Sequence, residues 1–210
     1  MKAVGLLFAF SFVASNVRIF NFDAGPLGKT PPGWSVAMTN GGSAPPQWEI
    51  LKDHTAPTQP YVLAQVSRNE PSDHYPLAIV DGLTLRDGDL SVRMKLVAGR
   101  EKQAGGLVWR YRDDKNYYLV RANALDNEVS LIKVENGRRI PLLSGAKHQM
   151  HPNEWSILKV SVRGDRFQVY CDHRRILEGR DRTFAGPGKV GLCTVGDSVT
   201  YVDDFRVSPR

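Results

Sequence analysis

Hydrophobic and polar residues alternate along much of the chain, and this pattern predicts β-strands rather than helices. In the run Asp89–Val97, the side chains of Leu90, Val92, Met94 and Leu96 fall on one face, and the other face is polar. A two-residue period of this kind is typical of a strand with one buried face in an antiparallel sheet. No segment keeps a helical period for more than two turns. The chain is therefore predicted to be all-β.

The stretch Gly105–Asn136 carries the clearest topology signal. It contains three consecutive runs rich in aromatic and branched residues, and polar turn clusters at Arg112–Asn116 and Ala124–Asn127 separate them. The dipeptide Asn136-Gly137 then favours a hairpin turn into a further strand. Short strands punctuated in this way predict an antiparallel meander.

The same rhythm extends over the rest of the sequence and predicts roughly twelve to fourteen strands. The predicted strands are Ile19–Asp23, Trp34–Met38, Trp48–Leu51, Tyr61–Ser67, Asp89–Val97, Gly105–Arg112, Tyr117–Asn123, Glu128–Glu135, Arg138–Leu143, Trp155–Arg163, Arg166–Asp172, Arg175–Glu178, Lys189–Val195 and Val199–Val207. The segment Arg68–Pro76 is predicted to be a polar connection. So many strands without helices imply two packed sheets or a barrel. Because neither an internal repeat nor a low-complexity linker interrupts residues 16–210, we expect a single domain there.

The first fifteen residues resemble an export signal. Lys2 supplies a positive charge, Ala3–Ala14 is apolar almost throughout, and residues 13–15 offer small side chains for cleavage. The apolar run is shorter than the ~20 residues that a membrane-spanning helix needs. We therefore expect a secreted or periplasmic protein with no transmembrane span, and the alternative is a buried N-terminal strand or helix.

Charge and cysteine content narrow the function only slightly. Lysines and arginines number 28 against 22 aspartates and glutamates, but the two signs are interleaved, so a nucleic-acid partner is not expected. Cys171 shares its predicted face with core residues, whereas Cys193 lies on the opposite face from Val190 and Leu192. This pattern favours two free thiols over a disulfide, although the relative register of the two strands is not fixed by the sequence.

Three segments resemble a known group of domains. They are GGLVWRYRDDKNYYLVRANALDNEVSLIKVENGRR, WSILKVSVRGDRFQVYCDHRRI and FAGPGKVGLCTVGDSVTYVDDFRV. Together they look like concanavalin A-like, laminin-G-type jelly-roll domains, in particular those related to 3-keto-disaccharide hydrolases (DUF1080-type) and family-16 glucanases. The resemblance implies a two-sheet antiparallel jelly-roll sandwich, in which many relatives bind a sugar on the concave face. Fold alone does not decide the function, because the same sandwich hosts lectins, hydrolases and adhesive modules.

Motifs for catalysis are not recognisable in the sequence. A family-16 glucanase needs Glu-x-Asp-x-x-Glu on one strand, so that alternation with one bulge aims all three carboxylates into the cleft, and this run is missing. The segment Gly186–Gly191 matches G-x-G-x-x-G, but it leads into a strand rather than a helix and is interpreted as a turn. The pair His148 and His151 lacks a third metal ligand and is interpreted as part of a surface loop. The catalytic residues therefore remain unknown, and no metal ligands are assigned.

A binding face is the remaining candidate site. If the polar faces of three strands coincide, the sheet presents arginines beside an aromatic ring, and sugars stack on such rings while Arg and Asn bind hydroxyl or acidic groups. The candidate ligand-binding residues are Arg93, Arg110, Arg112, Tyr117, Arg121 and Asn123. Trp109 and Tyr111 fall on the other face of their strand and are expected in the core. The alternative is a solvated face with ordinary cross-strand charge pairs.

The sequence leaves three functions open. The leading one is a non-catalytic carbohydrate-binding domain whose partner is a glycan or oligosaccharide. The others are a hydrolase of the 3-keto-disaccharide type with carboxylates from separate strands, and a protein-interaction or adhesive module. No cofactor is required by any of them, but Asp203 and Asp204, with Asp23 of the N-terminal strand, are a possible structural calcium site. The alternative is that these carboxylates simply accept hydrogen bonds at strand ends.

Overall fold

A computed structural model describes residues 17–41, 45–68 and 71–210 of the chain. These residues form strands and connections without a helix, so no helix long and apolar enough to cross a membrane occurs among them. The signal segment predicted at residues 1–15 lies outside the described residues. In chain order, the strands are β1 (Arg18–Phe20), β2 (Trp34–Thr39), β3 (Trp48–Lys52), β4 (Tyr61–Gln65), β5 (Tyr75–Leu85), β6 (Gly88–Ala98), β7 (Ala104–Asp113), β8 (Asn116–Asn123), β9 (Glu128–Glu135), β10 (Arg138–Lys147), β11 (Trp155–Arg163), β12 (Arg166–Cys171), β13 (Arg174–Arg180), β14 (Gly188–Thr194) and β15 (Val199–Pro209).

The strands form two antiparallel sheets. The eight-stranded sheet has the order β13-β12-β11-β6-β15-β4-β3, and β1 pairs with the second half of β15. The seven-stranded sheet has the order β10-β9-β8-β7-β14-β5-β2. Strands β7 to β10 are consecutive neighbours, so the meander predicted from Gly105 onward is confirmed.

The main apolar core lies between the two sheets. Trp109 of β7, Tyr118 of β8 and Phe167 of β12 meet there, with ring centroids 4.9–5.7 Å apart. Phe184 closes the same aromatic group from the loop before β14. Edge-to-face and offset contacts of this kind stabilise a core beyond the burial of the rings alone.

A second apolar cluster lies on the other face of the seven-stranded sheet. Alternation explains it, because Tyr118 points into the main core while Tyr117 and Leu119 point to the opposite side. Its buried members are Tyr75, Leu77, Ile79, Ala104, Val108, Tyr117, Leu119, Ile132, Val134, Cys193 and Val195. Both faces of this sheet are therefore largely apolar, as is typical of strands covered on both sides.

The two cysteines belong to different clusters and are both free. Cys171 lies in the core between the sheets, and Cys193 lies in the second cluster on the far side of the seven-stranded sheet. Burial raises the pKa of each thiol to about 12. The prediction of two free thiols is confirmed.

A β-bulge at Arg110 reverses the sides of the sheet that were predicted for Arg110 and Tyr111. The backbone of Arg110 has φ = 49°, and the ladder between β7 and β8 loses its register after Trp109. As a result, the Arg110 side chain points inward, where it is 1% exposed, and Tyr111 packs on the second cluster instead of the core. A Cβ at Gly188 would lie 2.5 Å from the Arg110 carbonyl carbon, so glycine is needed where β14 passes this bulge.

Candidate functional site

An open cleft lies on the outer face of the eight-stranded sheet, across the adjacent strands β12, β11, β6 and β15. Its volume is about 450 Å³. The described residues that line it are Ser91, Val92, Arg93, Ile157, Lys159, Tyr170, His173, Asp204 and Arg206. Alternation brings most of them together, because outward-facing positions of neighbouring strands stand side by side on one surface.

The strand register arranges these side chains in two rows. In the first row, Tyr170 is opposite Lys159, Lys159 is opposite Ser91, and Ser91 is opposite Arg206. One step further along the strands, Ile157 is opposite Arg93. The short Ser91 side chain stands between longer neighbours and leaves space above the sheet.

A second β-bulge places a carboxylate in the cleft. The register between β15 and β6 shifts between Asp203 and Arg206, and Asp204 has φ = 49°. This conformation aims Asp204 at Arg93, and its Oδ2 lies 3.2 Å from the Arg93 Nε. The sequence alone cannot locate such a bulge, because the residues around it keep an ordinary strand composition.

Asp203, the neighbour of Asp204, holds a loop in place and is not among the residues that line the cleft. Its carboxylate is fully buried and accepts hydrogen bonds of 2.8 Å from both the backbone N–H and the hydroxyl of Thr58. Burial raises its pKa, although these hydrogen bonds oppose the shift. Asp23, the third candidate for calcium, accepts a long hydrogen bond from the Tyr61 N–H at 3.4 Å. Among the described residues, no group of three or more His, Cys, Asp or Glu side chains is placed to hold a metal ion.

Lys159 connects the ring of Tyr170 with a charge cluster at the end of the cleft. Its Nζ lies 5.6 Å from the centroid of the Tyr170 ring and 2.9 Å from the Asp89 Oδ2. Asp89 also pairs with Arg163 and Arg210 at 3.1 and 3.2 Å. The Tyr170 ring is half-buried, so it remains partly available for contact with a ligand.

The opposite end of the cleft is bounded by a second polar cluster. Lys95 lies two residues beyond Arg93 on β6 and faces the same side of the sheet. It donates hydrogen bonds to Asp53 and Thr55, and its Nζ lies 5.2 Å from the centroid of the Trp155 ring. Trp155 Nε1 donates to the same Thr55 hydroxyl at 3.1 Å. Burial acts to raise the pKa of Asp53, but the hydrogen bonds from Lys95 and Thr55 outweigh it and the pKa is lowered.

The six residues predicted to bind a ligand do not share one surface. Arg93 lines the cleft, whereas Tyr117, Arg121 and Asn123 lie on the far face of the other sheet. The polar faces of these strands therefore do not form one binding face, because β6 and β8 belong to different sheets. Strand alternation defines two faces for each strand, but it does not show which strands are neighbours.

Arg110 and Arg112 lie at one end of the sandwich instead of on a binding face. The Arg110 guanidinium is buried and donates to the carbonyl oxygens of Phe184, Gly164 and Arg86. Arg112 is exposed and lies 4.8 Å from the centroid of the Phe184 ring. Arg110 is thus a structural residue, contrary to the prediction.

Tyr117 and Arg121 are largely buried, which separates them from the exposed cleft. Tyr117 is 0% exposed, and its hydroxyl lies 2.7 Å from the Thr39 hydroxyl. Arg121 is 4% exposed, and burial lowers the pKa of its guanidinium. Asn123 accepts hydrogen bonds from the N–H groups of Gln103 and Leu125, which is the role of a turn residue.

Most residues of the cleft were missed by the sequence analysis. A usable signal exists in β12, where Gln168 and Tyr170 alternate with the buried Phe167 and Val169. Alternation therefore indicates that Tyr170 is outward-facing. Its neighbours on the surface come from β11, β6 and β15, whose order in the sheet is set by distant parts of the chain.

Comparisons with known proteins identify the fold. A carbohydrate-binding module, CBM66 from Bacillus subtilis, superposes with a TM-score of 0.65 at 24% identity, over 84% of this chain and 96% of that one. A β-glucanase from Bacillus licheniformis gives a TM-score of 0.60 at 13% identity, over 91% and 98% of the two chains. The fold is a concanavalin A-like jelly roll. The jelly-roll sandwich predicted from the sequence is confirmed.

The sequence of this jelly roll also matches part of a much longer enzyme. It is 34% identical over 95 residues to a levanase from Bacillus subtilis (strain 168). The match covers 45% of this chain and only 14% of that enzyme, so it concerns a small part of the levanase. No protein-family model matches the chain.

Proposed function

We propose that this jelly roll is a carbohydrate-binding domain and that its ligand occupies the cleft across β12, β11, β6 and β15. The observation that carries the proposal is the combination of side chains around the half-buried ring of Tyr170. Ser91 offers a hydroxyl, Asp204 an acceptor, and Arg93 and Lys159 offer donors. A sugar presents apolar C–H faces and a rim of hydroxyl groups, so it needs an aromatic surface and both types of hydrogen-bonding partner together.

The size and construction of the cleft support this proposal. Its volume of about 450 Å³ lies within the range of roughly 300–1,000 Å³ that is usual for small-molecule sites. Except for His173 in the short β12–β13 turn, the lining residues lie on strands, so their positions are fixed by the sheet. A site built on rigid elements binds its ligand at a lower ordering cost.

The names of the similar proteins suggest which sugars to test first. One structural neighbour is named as a carbohydrate-binding module, and the longer relative is named as a levanase, an enzyme that acts on the fructan levan. A fructan therefore belongs in the first set of ligands, beside glucans and acidic glycans. We also propose that residues 1–15 direct export, which would bring the domain to polysaccharides outside the cytoplasm.

The number of carboxylates in the cleft favours a binding role over glycoside hydrolysis. Hydrolysis of a glycosidic bond commonly uses two carboxyl groups on opposite sides of the bond. Of the described residues that line the cleft, Asp204 is the only carboxylate, and it is paired with Arg93. A hydrolase would need a second carboxylate from outside this lining, and a reducing-end assay on every ligand found would detect its activity.

The test combines a glycan screen with substitutions at Tyr170. The purified protein is screened against levan, β-glucans and acidic oligosaccharides, and each ligand found is measured by calorimetry. Tyr170→Ala should weaken binding by about tenfold, because loss of an aromatic contact costs about 0.5–1.5 kcal/mol in addition to the buried area. Tyr170→Phe is the matched control and should bind nearly as well as the original protein.

Two outcomes would contradict the proposal in different ways. If no glycan binds, the domain is not a carbohydrate-binding module. If a glycan binds but Tyr170→Ala leaves its affinity unchanged, the cleft is not the site.

A further inference from the structure

The charges in the cleft are not balanced. Of the described residues that line it, three are permanent cations, Arg93, Lys159 and Arg206, and one is a carboxylate, Asp204. Asp204 pairs with Arg93 at 3.2 Å, and Lys159 pairs with Asp89 at 2.9 Å beyond the cleft. In the part of the chain that the structure describes, no ion pair or hydrogen bond involves the Arg206 guanidinium. Among the described residues, one guanidinium beside the cleft therefore has no acidic partner.

The position of Arg206 makes this guanidinium available to a ligand. Arg206 is exposed and follows the bulge in β15, with Ser91 of β6 on one side and Ile19 of β1 on the other. The short side chain of Ser91 leaves the approach from the cleft open. The row Tyr170, Lys159, Ser91 and Arg206 crosses four neighbouring strands, a distance of about 14 Å at the usual strand spacing. A short oligosaccharide can therefore contact the ring at one end and the guanidinium at the other.

We propose that the cleft selects glycans that carry an anionic group, a uronate carboxylate or a sulfate ester, and that Arg206 binds this group. The inference rests on the proposed function and specifies its ligand class. A guanidinium offers a planar fork of N–H donors that matches two oxygens of a carboxylate or a sulfate. An anionic group would also compensate the positive charge of Arg206, which has no acidic partner within residues 17–41, 45–68 and 71–210, whereas a neutral sugar would leave it uncompensated.

The experiment compares sugars that differ only in charge. The first pair is oligogalacturonate and its methyl ester, and the second is an oligosaccharide of sulfated carrageenan and its desulfated form. Affinities for the purified full chain are measured by calorimetry at low ionic strength. In at least one pair the charged member should bind about tenfold more tightly, the effect expected for a hydrogen-bonded charge pair. The preference should shrink at high salt, because screening weakens exposed charge pairs.

Substitutions then assign the preference to Arg206. Arg206→Gln should remove most of the preference for the charged member, because it should weaken binding of the charged member much more than binding of the neutral one. Arg206→Lys should restore part of the preference, since it keeps the charge but loses the fork. The matched control is Arg138→Gln, which removes another exposed arginine, from β10 of the other sheet, and should change neither affinity.

The outcomes distinguish this inference from the function on which it rests. If a neutral glycan binds at the cleft and neither pair shows a preference for its charged member, the inference is wrong and the carbohydrate-binding function stands. The inference also fails if Arg206→Gln weakens both members of a pair equally or leaves the preference intact. If none of the tested sugars binds, the proposed function fails together with the inference.

Discussion

Replacing Arg110 by methionine tests how one end of the sandwich is held together. The guanidinium is 1% exposed and donates to three carbonyl oxygens, at 2.8 Å to Phe184, 2.5 Å to Gly164 and 3.2 Å to Arg86. These acceptors belong to three separate connections, β13–β14, β11–β12 and β5–β6. A single side chain thus joins both sheets at this end. Methionine keeps much of the apolar stem and removes all three hydrogen bonds.

The expected loss of stability follows from the surroundings of these carbonyl groups. Gly164 and Arg86 are exposed, so their carbonyl groups can bind water instead, whereas Phe184 is buried and its carbonyl would be left unpaired. An unpaired buried acceptor costs about 1–3 kcal/mol, and a hydrogen bond from a charged group contributes about 1.5–3 kcal/mol. Release of the buried guanidinium, whose pKa is lowered by burial, offsets part of this loss. We expect Arg110→Met to lower the free energy of unfolding by about 2–4 kcal/mol.

Urea denaturation of the purified protein measures this difference, and a thermal scan should show Tm lowered by about 5–15 °C. The control is Arg112→Met, because Arg112 is exposed and its guanidinium carbon lies 4.8 Å from the centroid of the Phe184 ring, with no hydrogen bond or ion pair to another described residue. Its loss should cost less than about 1 kcal/mol. Equal stabilities of the two variants would refute the structural role of Arg110.

Two further predictions concern other packed or paired groups. Gly188→Ala should lower the free energy of unfolding by about 1–3 kcal/mol in urea denaturation, because the new Cβ would lie 2.5 Å from the carbonyl carbon of Arg110. Alanine at this position without loss of stability would show that the bulge is not tightly fitted. The folded state lowers the pKa of Asp53, so the stability from its pairing with Lys95 is present above the ordinary value of 3.8 and is lost as the pH falls below it. The stability difference between the original protein and Asp53→Asn should therefore shrink in acid, and a difference that stays constant with pH would contradict this reasoning.

The strands were largely predictable from the sequence, and β5 shows where the pattern failed. Most predicted strands agree with the structure to within a few residues, because alternation records which face each strand buries. The sequence predicts that the start of the run Tyr75–Leu85 belongs to a polar connection, since Pro76 interrupts it. In the structure, Pro76 pairs with Met38 of β2, and the ladder with β14 begins only at Leu77. The missing N–H of Pro76 therefore removes no hydrogen bond on the β14 side.

The candidate site was less predictable because it depends on sheet order and on bulges. The sequence predicts that Arg93 faces outward on β6, as the structure shows, but its expected neighbours, Tyr117 and Arg121, belong to the other sheet. Its actual neighbours on the surface, Lys159 and Asp204, come from strands that are far away in the chain. Local alternation contains no information about such pairings, which form only when the complete sheet assembles.

The two bulges with φ = 49° determine what each sheet presents to solvent. At Arg110 the bulge turns a charged residue inward and gives the seven-stranded sheet the ring of Tyr111 in its place. At Asp204 the bulge turns a carboxylate toward Arg93, and Arg206 follows the bulge without an acidic partner among the described residues. The first bulge makes the outer face of its sheet more apolar, and the second makes the cleft richer in hydrogen-bonding groups. Val202 faces the core, so regular alternation from it would turn Arg206 inward as well. The selectivity that we infer for Arg206 therefore depends on an irregular backbone as much as on the side chains that line the cleft.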